Sequence, residues 1–415
     1  MTVRRDSYAS LGEHLAANPE TVRRWTTGNQ PPTHKALLRA LDATLADLEP
    51  WQRSWWDQLT ASDHAQEGAG WAGEDEQESS STRRDEFLKA VAAFTALVPH
   101  EAVERLAHHG QRPVDSGLVA AHEAWADVLA SPHSTQRADV LIGPTAQHAD
   151  VLLGLLDRPM AGTDRRRLES ITVSAHVQAG LLAFGASDRT TARRYFALAW
   201  NVADEAGDDT LRAQTLGVAA VLHSPIEAGG RGGDSRKAVA TMRRAVHHAR
   251  HADLATRGYA HRWLGLELAA AGDEQGFLTS YEAGDRLSKP QPPLDGHGFL
   301  PRYFARAIDQ VSNRGIGLVR VGRADEAIQA LRHMLDPSRA SSTAMARADI
   351  AAAYVLSDEP EEACRQLQRA LSLTLDAGYA MGVERIRGVR ARFPETWAEL
   401  ACVAELDERL RASAR

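Results

Sequence analysis

Cysteine is nearly absent from this chain: Cys364 and Cys402 are the two among 415 residues. Two thiols cannot staple a protein of this size, and they form no Cys-x-x-Cys pair, so a reducing, cytoplasmic setting is expected. No stretch approaches the roughly 18–20 unbroken apolar residues of a membrane span, so no membrane partner is expected. Arg4 and Arg5 are followed by no apolar run, and the N-terminus does not read as a secretory signal. Alternating Val-Ile-Thr-Tyr segments are also almost missing, and strands with them. What remains is Ala, Leu and Arg in segments of about 10–16 residues, punctuated by Gly, Asp or Pro, which reads as all-α. Hydrophobic residues make up 43% and charged residues 25%, enough for a large core.

The net charge of −7 is unevenly spread. Residues 1–41 carry six Arg/Lys against three acids, a net of +3, whereas residues 61–80 carry six acids and no Lys or Arg. That arrangement permits nucleic-acid binding at the head only. It also divides the chain. Residues 1–60 form a head, and the Ser-, Gly- and acid-rich stretch 61–82 reads as a linker. Residues 83–415 form a helical body. Two stretches interrupt the body: the Gly-rich 224–235 and the Pro-rich 288–301, which cannot be helical throughout.

Within the head, Ser7 to Ala17 places Tyr8, Leu11 and Leu15 on one face. Asn18-Pro19-Glu20 then starts a second helix: an N-cap, a proline suited to the first position, and an acid suited to the positive end of the dipole. Val22 and Trp25 face inward, Thr21, Arg23 and Arg24 are left outward, and Gly28 stops the helix. A third helix after Pro31-Pro32-Thr33 carries Leu37, Leu38, Leu41, Leu45 and Leu48. A short capped helix of this kind can lie in a major groove, with Arg on guanine and the helix N-terminus or Thr on phosphate. The bland alternative is a plain three-helix start to a helical protein. Trp51 and Trp55 share a face and suit packing under the head or at a dimer seam.

These residues, from Leu11-Gly12 through Trp25, Gly28 and the following prolines, resemble the XRE-type (phage-repressor-like) helix-turn-helix family over about a tenth of the chain. The resemblance implies binding to double-stranded DNA through Asn18, Glu20, Thr21, Arg23 and Arg24. It also implies a further helix ahead of Ser7, where six residues stand here, so the head is either a reduced reader or one whose start lies upstream. Gly12 stands where the family usually has Ala.

The body repeats a small residue, a Gly or Asp turn, then Ala, an aromatic or Leu four later, and a further residue at seven. Examples are Gly180/Ala192/Phe196/Ala199, Gly265/Phe277/Tyr281/Gly284, Gly315/Ala327/Leu331/Met334 and Ala351/Ala363/Leu367/Ala370, with Ala238/Met242/Ala245 as a further second helix. The pattern resembles the tetratricopeptide repeat. Ala192, Ala238, Phe277, Ala327 and Ala363 are spaced by 46, 39, 50 and 36, against a repeat of ~34, and the two largest excesses fall at the two interruptions. The fold class expected is therefore all-α, a helix-turn-helix head followed by a tetratricopeptide-like α-solenoid. Small residues let antiparallel helices cross closely, and a curved stack of them presents a groove. Residues one turn before each small residue should point into that groove: Gln178, Arg262 with Trp263, Asn313 and Asp349.

Other constellations carry no chemistry. His247 and His251 have zinc-like spacing but sit among Arg243, Arg244 and Arg250. Gly229-Gly230-Arg231-Gly232-Gly233 lacks the Lys-Ser/Thr of a phosphate loop. Arg165-Arg166-Arg167 reads as a solvated helix start, with a DNA-backbone role as the alternative. No catalytic, cofactor or metal site is assigned. The whole arrangement resembles actinobacterial cytoplasmic regulators that join an XRE-type head to a tetratricopeptide-like body. That resemblance implies a homodimeric transcription regulator responsive to a small molecule or short peptide. The alternative is a protein-interaction scaffold with a vestigial head.

Overall fold

The computed structural model describes residues 114–130, 138–225, 233–287, 296–309, 313–336 and 340–413. The head, the linker and all five DNA-contact candidates, Asn18, Glu20, Thr21, Arg23 and Arg24, lie outside the described residues, as do Trp51 and Trp55.

Among the described residues every regular element is a helix. In chain order they are α1 (Ser116–Ala130), α2 (Ala138–Leu156), α3 (Gly162–Gly185), α4 (Arg189–Glu205), α5 (Asp209–Ala219), α6 (Ser235–His248), α7 (Leu254–Ala270) and α8 (Glu274–Leu287). There follow α9 (Phe299–Asp309), α10 (Asn313–Arg320), α11 (Ala324–Arg332), α12 (Ala340–Leu356), α13 (Pro360–Asp376), α14 (Ala380–Arg390) and α15 (Ala401–Ala412).

Local sequence sets the boundaries. The side chains of Asp188, Asp208, Asp234 and Asp253 accept from the backbone N–H three residues on, capping α4, α5, α6 and α7. Asp273 does the same for Gly276 at the start of α8. The turns between paired helices need a left-handed residue. Gly272 (φ 85°) and Gly322 (φ 81°) supply it without strain, whereas Ser187 (φ 66°) and Asp358 (φ 56°) adopt it with a side chain.

From α3 on, the helices pack as pairs: α3 on α4, α5 on α6, α7 on α8, α10 on α11 and α12 on α13. The residues of the sequence repeat form the seams. Ala192, Ala199, Ala238, Met242, Ala245, Phe277, Ala327, Leu331, Ala363, Leu367 and Ala370 are all completely buried. A Cβ on Gly180 would lie 2.8 Å from the Phe196 ring, and one on Gly315 would lie 2.6 Å from Leu331. One continuous apolar core runs through the pairs, and a smaller one joins α1 and α2 to α3 through Leu118, Leu152, Leu155 and Leu168.

The Pro-rich stretch 288–301 is not helical throughout, since residues 296–298 are bends, but its end is: Phe299, Leu300 and Pro301 begin α9. Pro301 occupies the first turn, where its missing N–H would have had no intrahelical partner.

Candidate functional site

The first helices of the pairs, α3, α5, α7, α10, α12 and α14, each pack directly on the next. Among α4, α6, α8, α11 and α13 no comparable packing joins successive second helices. The stack therefore curves toward its first helices, which form an inner face. The curve returns on itself at α14. Ser187, in the α3–α4 turn, donates its hydroxyl to Glu384 at 2.8 Å, and Arg189 lies 3.8 Å from the same carboxylate. The Tyr379 ring sits 3.1 Å from where a Cβ on Gly185 would be.

The inner face holds a helix that belongs to no pair. α9 packs on α1, α3 and α7. Its Phe299, Leu300 and Phe304 are buried. Tyr259 of α7 receives it, with ring centroids 4.6 Å from Phe304 and 5.9 Å from Tyr303. The polar end is held by α1 and α3. Asp127 accepts from the Gly298 N–H at 2.8 Å and from His297 Nδ1 at 2.8 Å, and Arg302 lies 3.4 Å away. Ser174, fully buried on α3, accepts from the Leu300 N–H at 2.9 Å.

Beyond α9 the inner helices carry opposite charges in sequence: Glu267 on α7, Arg320 on α10, Asp349 on α12 and Arg385 on α14. Arg385 Nη2 reaches both Asp349 oxygens, at 2.8 and 2.6 Å, in a pair almost wholly removed from water. Burial pushes the Arg320 guanidinium down to about 10. Asp349 and Glu267 hold it up, and Arg385 and Arg392 add to the depression. Its Nε is buried without a hydrogen-bond partner among the described residues.

A second polar cluster joins the first three helices. His122 Nδ1 and His148 Nε2 are 3.2 Å apart with rings stacked at 5.4 Å, and Trp125 meets His148 edge-on. Burial holds His148 well below its ordinary range, and His122 and His176 push the same way. His176, fully buried, bonds the Thr172 carbonyl at 2.8 Å through Nδ1. It is depressed chiefly by desolvation, with a smaller push from Arg194 and with Thr172 and Asp150 opposing. These three histidines lie 26 and 28 positions apart, so no local motif announces them.

The groove candidates read from sequence lie on the inner helices, but most are enclosed by neighbours. Gln178 is buried and donates to the Leu129 carbonyl at 2.8 Å, tying α3 to α1. Arg262 is buried between α7 and α8, where a Cβ on Gly284 would sit 2.6 Å from its Cγ. Desolvation lowers its pKa, against Tyr281, Asp285 and Tyr259. Trp263 is 8% exposed, its ring 5.8 Å from Tyr259, and its Nε1 is buried without a partner among the described residues. Asp349 is committed to Arg385. Asn313 opens α10, and its side chain lies outside the described residues. The physical reason for the burial is enclosure: α3, α7 and α12 are surrounded on nearly every side, so a polar position there is not a solvent-facing one.

The rejected constellations also have partners. α6 ends at His248, which bonds Asp209 at 2.9 Å, and His251 falls in a following 3-10 turn. Arg167 pairs with Glu123 and Asp164, and Arg165 with Glu169.

No family model and no curated protein matches the chain. Among solved structures, the chain is similar to the crystal structure of the P58(IPK) TPR domain, at 16% identity over 72% of this chain and 80% of that one, with a TM-score of 0.21.

Proposed function

We propose that the chain is a ligand-responsive, DNA-binding transcriptional regulator. A helix-turn-helix head reads double-stranded DNA, and the inner face of the helical body senses a small molecule or short peptide. The observation that carries the reading is the pairing, in one chain, of the Asn18-Pro19 helix-start pattern, followed by Thr21, Arg23 and Arg24, with a curved helical stack. One head offers few phosphate contacts, so two heads in a homodimer give useful affinity. A ligand that prefers one curvature of the body shifts the regulator between DNA-competent and incompetent forms by its differential affinity, commonly ~1–3 kcal/mol. The α14–α3 contact supports this, because it joins the two ends of the curve and would part if the curve opened.

The test is binding of the full chain to the DNA upstream of its own coding sequence, at low and at moderate salt. Affinity should fall with salt, and Arg23→Ala or Arg24→Ala should cost ~1–3 kcal/mol if that arginine reads a base. Binding that is absent, or indifferent to both substitutions, would leave the scaffold reading, in which the body alone acts.

A further inference from the structure

We infer that the surface formed by α1, α3 and α7 is a receptor for a single amphipathic, aromatic-rich helical peptide, and that α9 is its built-in competitor. This deepens the sensor half of the proposed function and is independent of the DNA-binding half.

The neighbouring pairs meet without α9 between them, although Phe299, Leu300 and Phe304 join the main apolar core. α7 packs directly on α10, and a Cβ on Gly317 of α10 would lie 2.3 Å from the Phe277 ring of α8. The pairs α7–α8 and α10–α11 are thus already joined, and α9 lies on the inner face rather than between them. Its contacts are those of a bound peptide. A carboxylate from elsewhere in the chain, Asp127, caps its N-terminus as a side-chain N-cap would, 171 positions away in sequence. The buried Ser174 hydroxyl takes a further N–H that a helix start leaves unpaired. Apolar side chains on one face of the helix fill the space beside Tyr259, as in helix-in-groove recognition.

The resident also defines what fits. Gly298 has φ 84°, and a Cβ there would sit 2.9 Å from Ser174 Oγ, so the position before the helix accepts only glycine. An aromatic and an aliphatic follow at Phe299 and Leu300. A cation stands four positions after the glycine, where Arg302 meets Asp127, and two aromatics come next at Tyr303 and Phe304. The partner class is a peptide with a Gly-aromatic-aliphatic start, a basic residue and an aromatic pair.

Two measurements on the full chain test this. In native hydrogen exchange, the amides of α9 should exchange at least 100-fold faster than those of α3 and α7, because a displaceable occupant opens without unfolding its seat. Exchange of all three helices together would overturn the proposal. The second is titration with a fluorescent peptide of residues 296–309. Phe299→Ala/Phe304→Ala in the protein should raise affinity for it at least tenfold by emptying the seat. If that variant fails to fold, His297→Ala/Arg302→Ala, at two exposed positions, loosens only the resident's ties to Asp127 and should raise affinity severalfold. Adding Asp127→Ala, or replacing the peptide's own Phe304 by Ala, should erase the gain. A folded, loosened variant that binds the peptide no better than wild type would remove the competitor assignment.

Discussion

The Ser187 hydroxyl donates to the Glu384 carboxylate at 2.8 Å across 197 positions of sequence. Ser187 holds a left-handed backbone conformation to do so, beside the cap residue Asp188. The contact joins the turn after the first repeat helix to the last inner helix, so the curvature of the body has a defined end point.

Glu384→Ala should release that end point. The pair is partly exposed, so its loss should cost only about 0–1 kcal/mol of stability. The separation of the two elements should nevertheless broaden. Spin labels at exposed Thr190 and Ala391, with Cys402 replaced by Ser, would report it as a wider distance distribution. An unchanged distribution in Glu384→Ala would mean that core packing alone fixes the curvature.

The Asp349–Arg385 pair should behave in the opposite way. Both groups are buried, so removing either leaves the other without its hydrogen-bonded partner in a poorly solvated place. Asp349→Ala and Arg385→Ala should each destabilise the protein by roughly 3–5 kcal/mol, with the double substitution costing much less than their sum. Urea unfolding of the four proteins closes the cycle. Additive losses would show that the charges act through separate partners rather than through each other.

The repeat was legible in sequence because its signals are local. Gly180, Ala192, Phe196 and Ala199 meet across one short turn, and the aspartate caps act on the next three residues. The seat of α9 was not legible: Asp127 and Ser174 meet Gly298 and Leu300 across separations of 171 and 126, and no periodicity encodes that. The inner polar residues failed for another reason. Gln178, Arg262 and Asp349 look like surface residues in sequence, and only the number of helices around them makes them interior.

Two kinds of glycine should separate cleanly. Gly154 lies exposed inside α2 with nothing within 4 Å of an added Cβ, so Gly154→Ala should stabilise by about 0.5–1 kcal/mol through helix propensity. Gly317→Ala puts the same methyl 2.3 Å from the Phe277 ring and should instead cost about 1–3 kcal/mol by overpacking. Thermal melts of the two single variants test the seam directly. A stabilised Gly317→Ala would show that α10 and α8 can separate without loss.

Acid should weaken the α1–α2–α3 end of the body. His148 and His176 are held below their ordinary range mainly by burial, so the folded state disfavours their protons relative to the unfolded chain. A depressed folded pKa gives stability that is fully present above the unfolded value, about 6.5. It is lost as pH falls from there through the folded value, at up to about 1.4 kcal/mol per pH unit for each histidine. For His148, burial, His122 and His176 all act in the same direction. For His176, Asp150 opposes and Arg194 assists. Melting temperature should therefore be flat from pH 8 to about 7 and fall from about 6.5 downward. His148→Gln should flatten the acid limb while lowering stability at pH 8, because the stacking with His122 is lost. An acid limb of the same slope in wild type and His148→Gln would move the cause of acid sensitivity away from this cluster.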